Sequence, residues 1–289
     1  MITNKIYQNV SNGYRRNMIL LLVLALEGIG CLSALPAKSD GVYSSVKPGD
    51  ISMKLTIIPS SGTITAEEPL LAQVETRNNS GGNVELQSSS GGTPNSYVEI
   101  RDDKDVVVAS TKHPSFPEEE GVQGIIKLAP GENRTKIWVI SALYQFKKSG
   151  RYTVHIQQIE EAEGLPVIAE DSASVQVLPF NASRLDARCN ELMKPIRTES
   201  SGKTDLPADV RMKALYSIHN NKVLPHLEWA ARELGSQNAS IAMLRLGTDE
   251  AKSIVKALAT RTDKVGVAAR QAMEEDSTTR DLAWDMNMY

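Results

Sequence analysis

Residues 242–255 read Ala-Met-Leu-Arg-Leu-Gly-Thr-Asp-Glu-Ala-Lys-Ser-Ile-Val, which is an apolar run, a Gly-Thr turn and a second apolar run. A related pattern begins 28 residues earlier at Ala214, and another begins 30 residues later at Ala272. A pattern that recurs at such a period is typical of stacked helical hairpins, so we expect a short helical array. Arrays of this kind present a binding surface more often than they enclose a reaction centre.

The residues around this pattern predict how the C-terminal third is divided. We expect an array of helices over residues 207–289, preceded by a capping helix and a linker over residues 181–206. The capping helix should cover Leu185–Arg197 and begin at a side-chain cap from Asn181 or Ser183. Gly235 should end a later helix, because glycine adopts the left-handed conformation found after helix C-termini.

The middle of the chain changes to an alternation of apolar and polar residues. Between Ile51 and Phe180, short alternating runs are separated by turn-forming residues. The runs lie at 53–57, 71–76, 97–101, 106–109, 124–128, 136–142, 151–158 and 172–178. Seven or eight such strands predict an antiparallel β-sandwich over residues 50–180. The polar stretch 87–96 is expected to be a long loop between two of them.

Two local sequences in this region resemble parts of known β-sandwich families. Lys148–Val154 looks like the entry to a strand with a tyrosine corner, in which the Tyr152 phenol hydrogen-bonds to the preceding turn. The segment 69–78 resembles the second strand of bacterial immunoglobulin-like and macroglobulin-like modules. The resemblance implies an immunoglobulin-like fold and carries no activity with it.

The helical region resembles HEAT-type repeats over residues 207–276, in a compact version with short repeats. Leu244–Ala251 is the closest match to the end of a first helix and its turn, and Val223–Leu227 matches the start of a second helix. The resemblance implies a short α-solenoid whose second helices line a concave face. A generic helical bundle is the alternative.

The N-terminal segment reads as an export signal. Arg15 and Arg16 precede nine apolar residues, 18–26, which suit a signal peptide and are too few to span a membrane. We expect residues 1–37 to act as this signal and 38–49 as a linker. The protein should then be exported and lie in the periplasm, on the cell envelope or outside the cell.

A cysteine at the end of this signal is the candidate lipidation site. Cys31 follows Gly28 and Gly30 in a sequence similar to a bacterial lipobox, although Gly28 stands where leucine is expected. If Cys31 carries a lipid, the lipid is the only contact with a membrane that the sequence predicts. Cleavage after Ala34 or Ala37 without lipidation is the alternative.

Composition and motifs argue against several function classes. The net charge is −3, and residues 183–289 hold 16 basic and 15 acidic side chains, so no basic face is available for nucleic acid. No common nucleophile, phosphate-binding or zinc motif is present.

Single residues do not change this conclusion. The histidines, which are His113, His155, His219 and His226, are scattered, and Cys189 has no base beside it in sequence. We therefore expect no enzyme activity, no catalytic residues, no metal site and no cofactor.

A protein-binding surface is what remains. The outward positions that we predict on the second helices are Lys222, Trp229, Arg232, Lys252 and Lys256. An aromatic ring beside several cations is a common composition for a binding hot spot. The alternative is that Trp229 packs on a neighbouring helix while the cations are solvated.

Two functions follow as expectations. The first is a non-enzymatic binding or scaffold protein of the cell envelope that contacts another protein through its helical repeats. The second makes the β-sandwich the active module, either protease-inhibitor-like or carbohydrate-binding, with the helices as a spacer.

Overall fold

The structure is a computed structural model that describes residues 46–89, 93–94, 96–110, 124–159, 167–198 and 206–278. The predicted export signal and Cys31 lie outside these ranges. The described residues lie in one compact unit that contains both β-sheets and α-helices, which confirms the β and α composition of the predicted fold. The division of this unit into residues 50–180, 181–206 and 207–289 stays a prediction. No helix among the described residues is long and apolar enough to cross a membrane.

The described strands are numbered in chain order. They are β1 (Ile51–Ile58), β2 (Thr63–Thr65), β3 (Leu71–Asn78), β4 (Val84–Ser89), β5 (Thr93–Pro94), β6 (Ser96–Arg101), β7 (Val107–Ser110), β8 (Gly124–Leu128), β9 (Asn133–Val139), β10 (Gly150–Ile159) and β11 (Val167–Leu178). They form a three-stranded sheet β1-β3-β9, a five-stranded sheet β2-β11-β10-β6-β7 and a small sheet β5-β4-β8. All neighbours are antiparallel except β2 and β11.

The first two sheets share an apolar core. Leu55 and Ile57 of β1 and Ala72 and Val74 of β3 lie on one face of the three-stranded sheet, because alternate residues of a strand share a face. The same cluster contains, from the five-stranded sheet, Val98, Ile100, Val154, Ile156, Val175 and Val177. The apolar positions of the alternating strands are therefore the positions that form this core.

Tyr152 forms the predicted tyrosine corner. Its phenol donates a hydrogen bond to the Lys148 carbonyl oxygen, with 3.1 Å between the oxygens, which confirms that prediction. The ring packs edge-on against Phe146, with 5.2 Å between centroids. Burial, and then the neighbouring Tyr144, raises the pKa of Tyr152 to about 12.

Two parts of the β region differ from the sequence prediction. The stretch 87–96 is expected to be a loop, but its described residues belong to strands: β4 extends to Ser89 and pairs with β8, Thr93–Pro94 form β5, and Ser96 begins β6. Backbone N–H and C=O groups of β4 pair with those of β8. This pairing needs no large apolar side chains, so a polar sequence can form the strand. The predicted strand 136–142 ends at Val139 as β9 and continues as a single helical turn.

The described helices are also numbered in chain order. They are α1 (Ile140–Leu143), α2 (Ala182–Thr198), α3 (Ala208–Tyr216), α4 (Leu224–Trp229), α5 (Gln237–Leu246), α6 (Asp249–Ala259) and α7 (Lys264–Thr278). A 3₁₀ turn (Asn221–Val223) leads into α4, and a π-helical turn (Ala230–Leu234) continues it.

Local sequence determines where several helices begin and end. The Asn181 side-chain oxygen accepts a hydrogen bond from the Arg184 amide at 3.0 Å, so Asn181 is the cap of α2. The Thr248 hydroxyl caps α6 through the Ala251 amide at 3.3 Å. Gly235, with φ of 66°, ends the π-helical turn as predicted.

The helices pack around α5. This helix contacts α4, α6, α7 and the π-helical turn, while α7 also contacts α6 and the π-helical turn. In the described part of the chain, α4 and α6 share no extensive packing. The side chains on α4 and those on α6 therefore belong to different parts of the helical surface.

The helices and the three-stranded sheet form a continuous core. Leu71 of β3 is fully buried and belongs to the apolar cluster of the helices, where Ile58, Ile137 and Val139 also pack. These four residues lie opposite one another on neighbouring strands or two positions apart, on the face that turns away from the five-stranded sheet. The three-stranded sheet is thus covered by a sheet on one side and by helices on the other.

Polar contacts also cross this boundary. The Gln145 side-chain amide donates to the carbonyl oxygens of Ser141 and Ser217, each at 2.7 Å. The Asn220 amide donates to the Glu67 carboxylate at 2.6 Å. These bonds anchor the turn that precedes α4 to the β region, and so they help to fix the position of α4.

Candidate binding surface on the helices

A cation and an aromatic ring meet where the end of α2 passes the end of α4. The Arg197 guanidinium carbon lies 5.4 Å from the centroid of the Trp229 ring, within the range of a cation–π contact. Arg197 is exposed, whereas Trp229 is half-buried and packs against the apolar cluster of the helices. The Arg197 guanidinium is therefore open to solvent, while the Trp229 ring beneath it is fixed by packing against the core.

His226 contacts the same guanidinium. Its Nδ1 lies 3.4 Å from Arg197 Nη2, one helical turn before Trp229, and its residue is only 5% exposed. Because a guanidinium can only donate, Nδ1 must accept, which places the ring proton of a neutral His226 on Nε2. Burial and then Arg197 lower the pKa of His226, and Asp186 opposes them.

Arg232 is engaged within its own helical segment. Its Nε donates to the Glu228 carboxylate at 2.8 Å, and Nη2 reaches the same oxygen at 2.8 Å. Both side chains are partly exposed, so this ion pair contributes little to stability. It does neutralise the charge that the sequence prediction assigned to binding.

The three predicted lysines are exposed, and the structure does not bring them to Trp229. Lys222 lies in the 3₁₀ turn, whereas Lys252 and Lys256 share the outer face of α6, opposite the buried Ala251, Val255 and Leu258. Within the described residues, no hydrogen bond, ion pair or ring contact joins a side chain of these lysines to Trp229 or Arg232.

Arg197 is the residue that the sequence prediction missed. It was placed in a capping helix, 32 residues before Trp229, and no periodicity links the two positions. Only the packing of α2 against the turn that leads into α4 brings them together. The order of the helices alone could not have identified the pair.

The other candidates of the sequence analysis that the structure describes lie on separate elements. Cys189 is fully buried, and burial and then Asp186 raise the pKa of its thiol to about 12. His155 lies on the five-stranded sheet, 3.3 Å from the Glu170 carboxylate. Among the described residues, no group of three or more His, Cys, Asp or Glu side chains is placed to hold a metal ion.

Comparisons with known proteins give little. No family model matches the chain, and no curated protein is similar to it in sequence. A β-glucuronidase from Bacteroides uniformis aligns with a TM-score of 0.28 and 11% identity, over 44% of this chain and 14% of its own. The sporulation control protein Spo0M from Bacillus subtilis gives a TM-score of 0.29 and 10% identity, over 51% of this chain and 56% of its own.

A third similar structure is that of a single domain. The CARDB domain of a Pyrococcus furiosus protein aligns with a TM-score of 0.25 and 12% identity, over 46% of this chain and 97% of its own. The matched parts span less than two thirds of the first two structures. Likenesses at this level carry no argument about the function of the chain.

Proposed function

We propose that this chain is a non-enzymatic binding protein that contacts an acidic segment of another protein through Arg197 and Trp229. One observation carries the proposal. Arg197 is exposed and held in place by Trp229 and His226, yet no carboxylate among the described residues forms an ion pair with it.

Arg197 and Trp229 together favour a partner segment that carries a carboxylate next to an apolar group. A guanidinium presents several N–H donors in a planar fork that fits a carboxylate with two parallel hydrogen bonds. One donor of Arg197 is used by His226, and no other hydrogen bond or ion pair of this guanidinium is present among the described residues. Trp229 supplies a ring at the side of that fork, and aromatic and arginine side chains dominate protein-binding hot spots.

We also propose the finer fold assignment and the cellular address. The corner at Tyr152 and the two sheets over one core support an immunoglobulin-like β-sandwich. The helix pairs around α5 support a short HEAT-like array, although α4 and α6 do not pack together as second helices of such an array normally do. Export, with Cys31 as the lipid attachment site, is tested by mass spectrometry of the mature N-terminus.

A second candidate function uses the outer face of the five-stranded sheet. Tyr97, Gln157 and Glu170 lie side by side on β6, β10 and β11, with Gln157 donating to Glu170 at 2.9 Å. A ring beside planar polar side chains suits a sugar, so this observation favours the carbohydrate-binding alternative. It predicts that Gln157→Ala and Glu170→Ala abolish binding while changes at Arg197 do not.

The test of the first function compares two charge reversals in the full chain. Arg197→Glu should reduce recovery of the partner at least tenfold, because the carboxylate of the partner then meets a carboxylate. Lys252→Glu is the matched control, since it makes the same charge change at an exposed position on α6. Equal losses in both variants, or a loss in neither, would remove the assignment of Arg197. Circular dichroism should show both variants folded at the assay temperature, and Arg197→Glu should melt below Lys252→Glu because it also removes the contacts of Arg197 with Trp229 and the buried His226.

A further inference from the structure

We infer that His226 is a positioning residue that holds Arg197 over Trp229 only while its ring is neutral, so that protonation of His226 releases the guanidinium. The effect on partner binding rests on the proposed function. The positioning itself does not, because it concerns only the contacts of His226, Arg197 and Trp229.

The neutral ring is required by the donors and acceptors present. Arg197 Nη2 can only donate, so the contact at 3.4 Å exists only while Nδ1 of His226 carries a lone pair. Protonation places a hydrogen on Nδ1 and leaves two donors and two positive charges facing each other. Because His226 is buried, water screens the repulsion between these two charges poorly, and the local dielectric constant is below that of water.

The surrounding charges set the direction of the effect. Among the described residues, the charged groups that act on His226 are Arg197 and Asp186, both on α2. Arg197 disfavours the charged ring and Asp186 favours it, but Asp186 is exposed and therefore well screened. Burial adds to the effect of Arg197, so the ring becomes charged at a pH below its ordinary titration near 6.5.

Arg197 is the side of the contact that can move. His226 is buried within the helices, while Arg197 lies in the last turn of α2 and is exposed. When the hydrogen bond is lost, the guanidinium can swing into water at little cost. The Trp229 ring then loses its cation, and the fork that would bind a carboxylate loses its orientation.

The experiment follows His226 and Trp229 together by NMR of the full chain. Long-range ¹H–¹⁵N spectra of the histidine rings should show the proton on Nε2 at pH 7.5. On acidification His226 should titrate with a midpoint below 6.5, and the indole N–H resonance of Trp229 should shift with the same midpoint. A proton on Nδ1 at pH 7.5, or an indole resonance that does not follow His226, would overturn the inference.

Three variants separate positioning from general packing. In His226→Gln the side-chain oxygen can accept from Arg197 at any pH, so the Trp229 resonance should no longer titrate. In Arg197→Ala the midpoint of His226 should rise, because a like charge is removed. His219→Gln is the matched control and should leave the Trp229 titration unchanged. A Trp229 titration that persists in His226→Gln assigns the effect to another group and contradicts the inference.

The same variants distinguish this inference from the proposed function. If Arg197→Glu abolishes partner binding but Trp229 does not titrate with His226, the surface is correct and the positioning role is wrong. If Trp229 titrates with His226 while Arg197→Glu binds as the parent does, the positioning role stands and the proposed binding surface is wrong. Where both hold, the parent should lose the partner as the pH falls and His226→Gln should retain it.

Discussion

The hydroxyl oxygens of Ser141 and Ser217 lie 2.8 Å apart in the buried boundary between the β region and the helices. The Ser217 hydroxyl also donates to the Ala214 carbonyl oxygen at 2.8 Å. A hydroxyl has only one hydrogen, so Ser141 must be the donor to Ser217. The Ser217 hydroxyl therefore accepts a hydrogen bond from Ser141 in the β region and donates one to Ala214 in the helices.

This direction predicts unequal effects of two alanine substitutions. Ser217→Ala leaves the buried Ser141 hydroxyl without an acceptor and should cost about 1–3 kcal/mol of the free energy of unfolding. Ser141→Ala leaves Ser217 bonded to Ala214 and should cost about 0.5–1.5 kcal/mol. Urea unfolding of both variants and of the double variant measures the difference. Equal losses that add in the double variant would show that the two hydroxyls do not interact.

A second prediction concerns the core that the sheet and the helices share. Leu71→Ala removes a fully buried side chain from β3 that packs among helical residues, and it should cost about 2–5 kcal/mol. Near-ultraviolet and far-ultraviolet circular dichroism should still report one common transition, because both regions lose packing together. Leu178→Ala is the control, since that side chain is partly exposed. Two separate transitions in the parent would contradict a shared core.

A third prediction concerns a glycine in the first turn of α7. A Cβ on Gly266 would overlap the backbone carbonyl of Arg261, which also accepts a hydrogen bond from Arg270 at 2.9 Å. Gly266→Ala should therefore destabilise the protein by about 1–3 kcal/mol, although alanine is the better helix former. Gly81→Ala, where the added atom meets nothing within 4 Å, should change stability little. Thermal melts of the two variants test the contrast.

A fourth prediction concerns the thiol of Cys189. Because the pKa of this buried group is raised to about 12, almost none of it is thiolate at pH 8, and the native protein should resist iodoacetamide. Labelling should become complete in denaturant, and its rate in low denaturant should follow the fraction of open protein. The modified cysteine can be identified by mass spectrometry of its peptide. Rapid native labelling of Cys189 would place the thiol at an accessible surface.

The sequence could predict the elements whose signals are local. The alternation in β10 and β11, the cap at Asn181, the corner at Tyr152 and the stop at Gly235 each depend on residues within a few positions. For the same reason the strand β4 was missed, since its residues beyond Leu86 are polar and its partner β8 is distant in sequence.

What the sequence could not supply is the contact between distant elements. Leu71 reads as an ordinary strand residue, and nothing near it in the sequence indicates that its neighbours are helical. Arg197 and Trp229 likewise lie in separate helices, so the prediction gave Trp229 the cations of the second helices as partners. In the described part of the chain, no hydrogen bond, ion pair or cation–π contact joins Lys222, Lys252 or Lys256 to Trp229.

The most direct test of the central claim is site-specific photo-crosslinking in the native cell. A benzophenone amino acid replaces the exposed Pro225 on α4 in one protein and the exposed Ser172 on the outer face of β11 in another. We expect one protein adduct from position 225 that disappears when Arg197→Glu is added, and no such adduct from position 172. An adduct from position 172 alone, or one from position 225 that survives Arg197→Glu, would contradict a binding surface built on Arg197 and Trp229.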